Sequence, residues 1–113
     1  MNWTISTVPD FDKEVKRLAK KYKSLRNDLS QLQKDLKQNP FLGIEILPGV
    51  RKIRFAITSK GKGKSGGARI ITFITVSDCD SGDIILLYIY DKSESPNIQT
   101  EYLKKILNDL ELI

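Results

Sequence analysis

The apolar positions follow two periods along the chain. Phe11, Val15, Leu18 and Tyr22 recur at i, i+4, i+7 and i+11, which is one stripe of a helix. Leu25, Leu29, Leu32 and Leu36 repeat the spacing, with Lys, Arg, Gln and Asp filling the other faces. The pattern predicts a helical hairpin, or one kinked helix, over about 8–38. It ends at Asn39-Pro40, because a proline pushes the residue before it out of the helical region. The entry reads as Thr7 at the N-cap, Pro9 in the first turn and Asp10 at the capping-box position. Residues 2–6, NWTIS, suit a short strand ahead of it. With one apolar stripe each, such helices pack one face on a sheet.

From residue 40 the period changes. Pro40, Gly43, Pro48 and Gly49 punctuate an irregular stretch. KIRFAIT (52–58) then alternates, with Ile53, Phe55 and Ile57 on one side and Lys52, Arg54, Ala56 and Thr58 on the other: a half-buried strand with two cations on its open face. ARIITFITV (68–76) is rich in β-branched residues, DCDSGD (78–83) is a polar turn, and IILLYIYD (84–91) is apolar on both faces, as an interior strand is. Ile98, Tyr102, Ile106 and Leu110, with Leu103 and Leu107, mark a closing amphipathic helix. The whole predicts one α+β domain over 1–113: an N-terminal helical pair packed on a small, mainly antiparallel twisted sheet of three strands, and a C-terminal helix.

Charge adds what the pattern lacks. The net charge is +5, with a sequence pI near 9.4, so an acidic partner is favoured. Arg51 to Arg69 holds seven basic residues and no acid, so the remainder is slightly acidic and the excess is local. Histidine is absent, which excludes imidazole catalysis and His-based metal sites. The one cysteine, Cys79, can form no internal disulfide and fits a reducing, cytoplasmic setting. Beside Asp78 and Asp80 its thiolate is disfavoured, which makes it a poor nucleophile. The first residues lack the basic and apolar regions of a secretory signal, and no apolar run approaches membrane-spanning length, so no membrane association is expected.

Residues 60–69, KGKGKSGGAR, concentrate four glycines and four cations. Gly63-Lys64-Ser65 matches the end of a P-loop, but the first glycine of that motif would be Thr58, and Ser65 leads into Gly66-Gly67 and a strand where the motif demands a helix N-terminus. DCDSGD is too short for a calcium loop and lacks its distal Glu. What remains is a basic strand face carrying Lys52 and Arg54, with Arg69 on the next strand and Lys60, Lys62 and Lys64 fringing it. One reading is a solvated face with a flexible loop. The other is a nucleic-acid grip, since cations crowded without acids repel one another until an anion relieves them. The patch has no interleaved aromatic to stack on bases, because Phe55 points to the core.

KIRFAI, then GKSGGARIITF, then LLYIYDKSE and a terminal helix, in that order and spacing, resemble the RelE superfamily of bacterial toxins, most of all its HigB branch. The resemblance covers nearly the whole chain and is most specific over 50–73. It implies a microbial RNase-like fold and a ribosome-dependent endoribonuclease that cuts mRNA in the A site. It also implies a co-encoded, DNA-binding antitoxin of the HigA kind, and a toxin–antitoxin complex that binds operator DNA. In that family's terms Lys52 and Arg54 contact the cleaved RNA, Arg69 stabilises the phosphorane, and Tyr90 and Lys92 complete the catalytic set. Arg51, Lys60, Lys62 and Lys64 are the expected RNA-binding cations. No metal or cofactor is expected. Two departures stand out: RelE has an arginine where this chain has Ser93, and some HigB members use histidines.

Such chemistry is feasible with these residues. The substrate's own 2′-OH is the nucleophile, so the protein must align it, neutralise the phosphorane and move two protons. Arginine cannot be the base at neutral pH, whereas a lysine among cations, Tyr90 or Asp91 could move protons. Two other readings stay open: a toxin of the ParE kind acting on DNA gyrase, and a non-catalytic RNA- or ribosome-binding module. A protein partner is also expected, an antitoxin segment that covers the basic groove and folds as it binds.

Overall fold

The computed structural model describes residues 2–112. Its elements are β1 (Asn2–Thr7), α1 (Pro9–Lys21), α2 (Leu25–Gln38), β2 (Ile44–Leu47), β3 (Val50–Phe55), a 3-10 turn at Thr58–Lys60, β4 (Ala68–Asp78), β5 (Ser81–Asp91) and α3 (Thr100–Asp109). The three expected antiparallel strands and the short strand expected at 2–6 are all present, and β2 is added to them, giving five strands in the order β1-β5-β4-β3-β2. β1 lies parallel to β5 and every other pair is antiparallel, so the α+β class holds with a mixed sheet.

The helical stripes pack as their spacing predicts. α1 buries Phe11, Val15 and Leu18; α2 buries Leu25, Leu32 and Leu36. These are two helices and not one kinked helix, since Tyr22 turns extended at the end of α1 (φ −123°, ψ 105°). Ser24 then fastens the start of α2, its hydroxyl bonding Asp28 and Ser59. The cap at Thr7 is a correction. Thr7 pairs with Leu86 as the last residue of β1, and the N-cap is Val8, with no side-chain bond. Asp10 instead accepts a hydrogen bond from the Tyr102 hydroxyl.

The stretch read as irregular contains β2, which pairs Ile44 with Lys52 and Leu47 with Val50. Pro48 and Gly49 form the two-residue turn between β2 and β3. Gly49 takes a positive φ of +78°, and proline followed by such a glycine is the pattern of a type II turn. β2 escaped the sequence pattern because an edge strand is little buried: Ile44 is 65% exposed. The interior strands are the opposite case, with Ile70, Ile71, Ile84, Leu87 and Ile89 fully buried. α3 buries Leu103, Ile106 and Leu107 and lays Tyr102 edge-on to Tyr88, ring centroids 5.3 Å apart. Among the described residues, no helix is long and apolar enough to cross a membrane.

Candidate nucleic-acid interface

Strand register builds the site. Arg54 is the cross-strand partner of Arg69, and Arg69 of Tyr90. One row along, Lys52 faces Ile71 and Ile71 faces Tyr88. Cross-strand partners share a side of a sheet, as do residues two apart on one strand. Lys52, Arg54, Arg69, Tyr88 and Tyr90 therefore occupy one face, while Ile53, Phe55, Ala68 and Asp91 occupy the other. The expected grouping of Lys52, Arg54 and Arg69 is what the sheet assembles.

The three cations are held differently. Arg69 is only 9% exposed, and its Nη1 donates to the carbonyls of Lys64 (2.9 Å) and Ala68 (3.0 Å), which fixes the guanidinium. Arg54 is exposed, and neither arginine forms an ion pair among the described residues. Lys52 Nζ donates to Asn97 Oδ1 at 3.3 Å.

The glycine-rich loop is folded into hydrogen-bonded turns. Gly66 N–H donates to Lys62 O and Gly67 N–H to Lys64 O, so 62–67 winds through successive turns. Gly67 has to be glycine: a Cβ there would lie 2.2 Å from Phe55 O and 2.9 Å from Gly63 O. Its own carbonyl accepts from Lys92 N–H, tying the loop to the end of β5. Lys62 and Lys64 stand exposed on this loop.

Three expected site residues, the RNA-binding Lys60 and Arg51 and the catalytic Lys92, are engaged elsewhere. Lys60 is turned inward, its side chain 10% exposed, with Nζ 2.5 Å from Asp91 Oδ1 and 3.0 Å from Ser93 Oγ. It is held inside the protein and does not fringe the patch. Arg51 falls on the opposite face of β3 and donates to the carbonyls of Leu42 and Gly43, pinning the approach to β2. Lys92 donates to Pro96 O at 2.8 Å, closing the turn after β5. Backbone carbonyls draw each of the last two, because a lysine or arginine beside an open turn satisfies it more easily than it reaches across the sheet.

Asp91 is also reassigned. Its carboxylate is fully buried and accepts from Lys60, from the Tyr22 hydroxyl (2.5 Å) and from Ser93 N–H and Oγ. Burial alone would raise its pKa, but the hydrogen bonds from Lys60, Tyr22 and Ser93 outweigh it and hold the carboxyl well below the usual carboxylate range. A carboxylate so committed cannot serve as a general base on the opposite face. The Tyr90 phenol is shifted upward, by burial, with Arg69 opposing. At neutral pH it is a protonated donor.

The sequence places no acid near the cations, yet the fold brings two. A cleft of about 720 Å³ is lined by Lys52, Arg54, Lys64 and Arg69 together with Asp28, Gln31 and Asp35 of α2. Asp28 is occupied, bonding Thr58 N–H, Thr58 Oγ1 and Ser24, and Gln31 donates to Asp35. Leu32, Leu42, Ile53 and Phe55 line it between them. Among the described residues no three of Cys, Asp and Glu gather where they could hold a metal ion. No protein-family model matches the chain.

Proposed function

We propose that this chain is an endoribonuclease of the RelE/HigB kind that cleaves mRNA on the translating ribosome, with Arg54 and Arg69 neutralising the phosphorane and Lys52 engaging the RNA backbone beside them. The supporting observation is Arg54 set directly opposite Arg69, with no carboxylate paired to either. Like charges in direct cross-strand register repel, and a bridging phosphate turns that repulsion into attraction. Arg69, oriented by Lys64 O and Ala68 O, keeps its remaining donors free for an oxyanion. The attacking 2′-OH belongs to the substrate, so alignment and charge are the protein's main tasks. Tyr90 stands beside Arg69 as a protonated donor, whereas Asp91 is excluded as the base by its ties to Lys60 and Tyr22. A site with cations but no free acid–base pair fits an enzyme that relies on the ribosome to orient its substrate.

In this reading the chain is cytoplasmic, and a DNA-binding antitoxin masks the Lys52/Arg54/Arg69 face and recruits it to operator DNA. Primer extension on mRNA in a translating extract tests the proposal, with naked mRNA and Arg69→Ala protein as controls. In-frame cuts that require translation and vanish with Arg69→Ala are expected. Uncut mRNA with folded protein would reject it, and loss of gyrase supercoiling activity would then favour the ParE-like alternative.

A further inference from the structure

We infer that the cleft beside Tyr90 is a nucleobase pocket that reads one base of the bound RNA. The inference deepens the RNA-cleaving reading and rests on it. The cleft has a volume of about 450 Å³ and is lined by Tyr88, Tyr90, Asn97, Gln99, Tyr102 and the Arg17 group. Tyr90 is 5% exposed, and its hydroxyl has no hydrogen-bond partner among the described residues. An unsatisfied buried hydroxyl is costly, and a ligand atom in the cleft would satisfy it.

Position and charge say what enters. Tyr90 is the cross-strand partner of Arg69, so a nucleotide whose phosphate sits on Arg54 and Arg69 carries its base towards Tyr90. The cleft's own cation, Arg17, is already paired with Glu14 (3.0 Å) and Glu94 (2.7 Å). That end therefore has no free positive charge and disfavours phosphate, while a neutral heterocycle suits it. Tyr88 and Tyr102, edge-on to each other, supply aromatic wall for stacking in this cleft.

The polar groups favour acceptors. Asn97 Oδ1 already accepts from Lys52 Nζ and Ile98 N–H, which leaves its Nδ2 hydrogens to donate. With the Tyr90 hydroxyl as a second donor, the pocket matches a base edge carrying two adjacent acceptors, such as guanine N7 and O6, and mismatches adenine, whose N7 is flanked by a donor. The sequence signal was absent, because Asn97 and Gln99 lie in a loop that only the fold brings to Lys52.

The test is an NMR titration of the full chain with guanosine, cytidine, uridine and adenosine 5′-monophosphates, following the side-chain amides of Asn97 and Gln99. Guanosine monophosphate should shift both and bind about fivefold tighter than the adenosine form, the worth of one hydrogen bond. Tyr90→Phe should melt at or above the wild-type temperature, since it removes an unsatisfied buried hydroxyl, yet abolish that preference. Arg54→Ala should weaken all four ligands while preserving their ratio. Equal binding of all four, or an unchanged ratio in Tyr90→Phe, overturns the pocket. Should Tyr90→Phe fail to fold, an unchanged ratio in Asn97→Ala with an unmoved Gln99 amide overturns it instead. Base-selective binding without translation-dependent cuts would sink the RNase reading alone. Cuts whose flanking base is indifferent to Asn97→Ala would sink the pocket alone.

Discussion

Arg54 and Arg69 face each other across β3 and β4 with no carboxylate between them. Residues in direct cross-strand register have Cβ atoms about 5 Å apart, close enough for like charges to cost about 0.2–1 kcal/mol. The fold tolerates this repulsion, and an anion bound there would relieve it.

Replacing Arg54 with Thr should therefore raise stability by about 0.5 kcal/mol while lowering RNA cleavage about a hundredfold, the effect of deleting one charge-stabilising donor. Urea denaturation and single-turnover cleavage on ribosome-bound mRNA measure the two. A variant that is less stable, or fully active, would contradict the role assigned to this pair. Phosphate should raise the melting temperature of wild type more than that of Arg54→Thr, because only the former keeps the facing pair.

Binding of RNA should weaken with salt. Each phosphate neutralised on single-stranded RNA contributes a slope of about −0.7 in log K against log salt. Arg54→Ala and Lys64→Ala should each make the slope shallower by about that amount, whereas Arg51→Ala should leave it unchanged. Arg51 is engaged with Leu42 and Gly43 carbonyls on the other face. Filter binding from low to moderate salt reads the difference.

The Asp91 hub makes stability pH-dependent. Its folded pKa lies well below the unfolded value of about 3.9, so the contribution is fully present above that value. It is lost progressively as pH falls towards the folded pKa, because the unfolded state binds the proton first. Denaturant midpoints measured downward from pH 6 should hold and then drop below about pH 4. Asp91→Asn should flatten that limb and destabilise by about 3–5 kcal/mol, leaving Lys60 buried without its partner.

Gly67→Ala should destabilise by more than about 1 kcal/mol, since the new Cβ would meet Phe55 O at 2.2 Å and force the loop away from β3. Activity should fall with it, because the same loop holds Arg69 through Lys64 O. Gly61, with open space around it but a φ of +73°, should cost about 1 kcal/mol as Ala from backbone strain alone. Thermal melts of the two variants, run side by side, check the order.

Much of this was legible in the chain. The helical stripes from Phe11 to Leu36 and the alternation from Lys52 to Phe55 appear because burial of one face imposes a period on neighbouring residues. β2 and the parallel β1–β5 pairing were not legible in full. An exposed edge strand carries little apolar signal, and a parallel partner is selected by residues some eighty positions away. Thr7 was misread for a related reason: its local cap chemistry was overridden by a sheet partner, Leu86.

The site divides along the same line. Lys52, Arg54 and Arg69 could be grouped from sequence because strands consecutive in the chain commonly pair, and alternation along each strand sets which side chains share a face. Lys60, equally basic and only a few residues away, could not be told from its neighbours by charge alone. Its destination depended on Tyr22 at the end of α1 and on Asp91 and Ser93 at the end of β5, two distant segments that together make burial of its charge favourable. Asn97 and the unpartnered hydroxyl of Tyr90 likewise acquire meaning only where the loop before α3 meets β5. The sequence by itself determined which residues could be cationic, apolar or turn-forming, since those are properties of single side chains and their spacing. Tertiary structure alone decided which cations stay free for an anion, because that depends on whether a distant acceptor reaches them first.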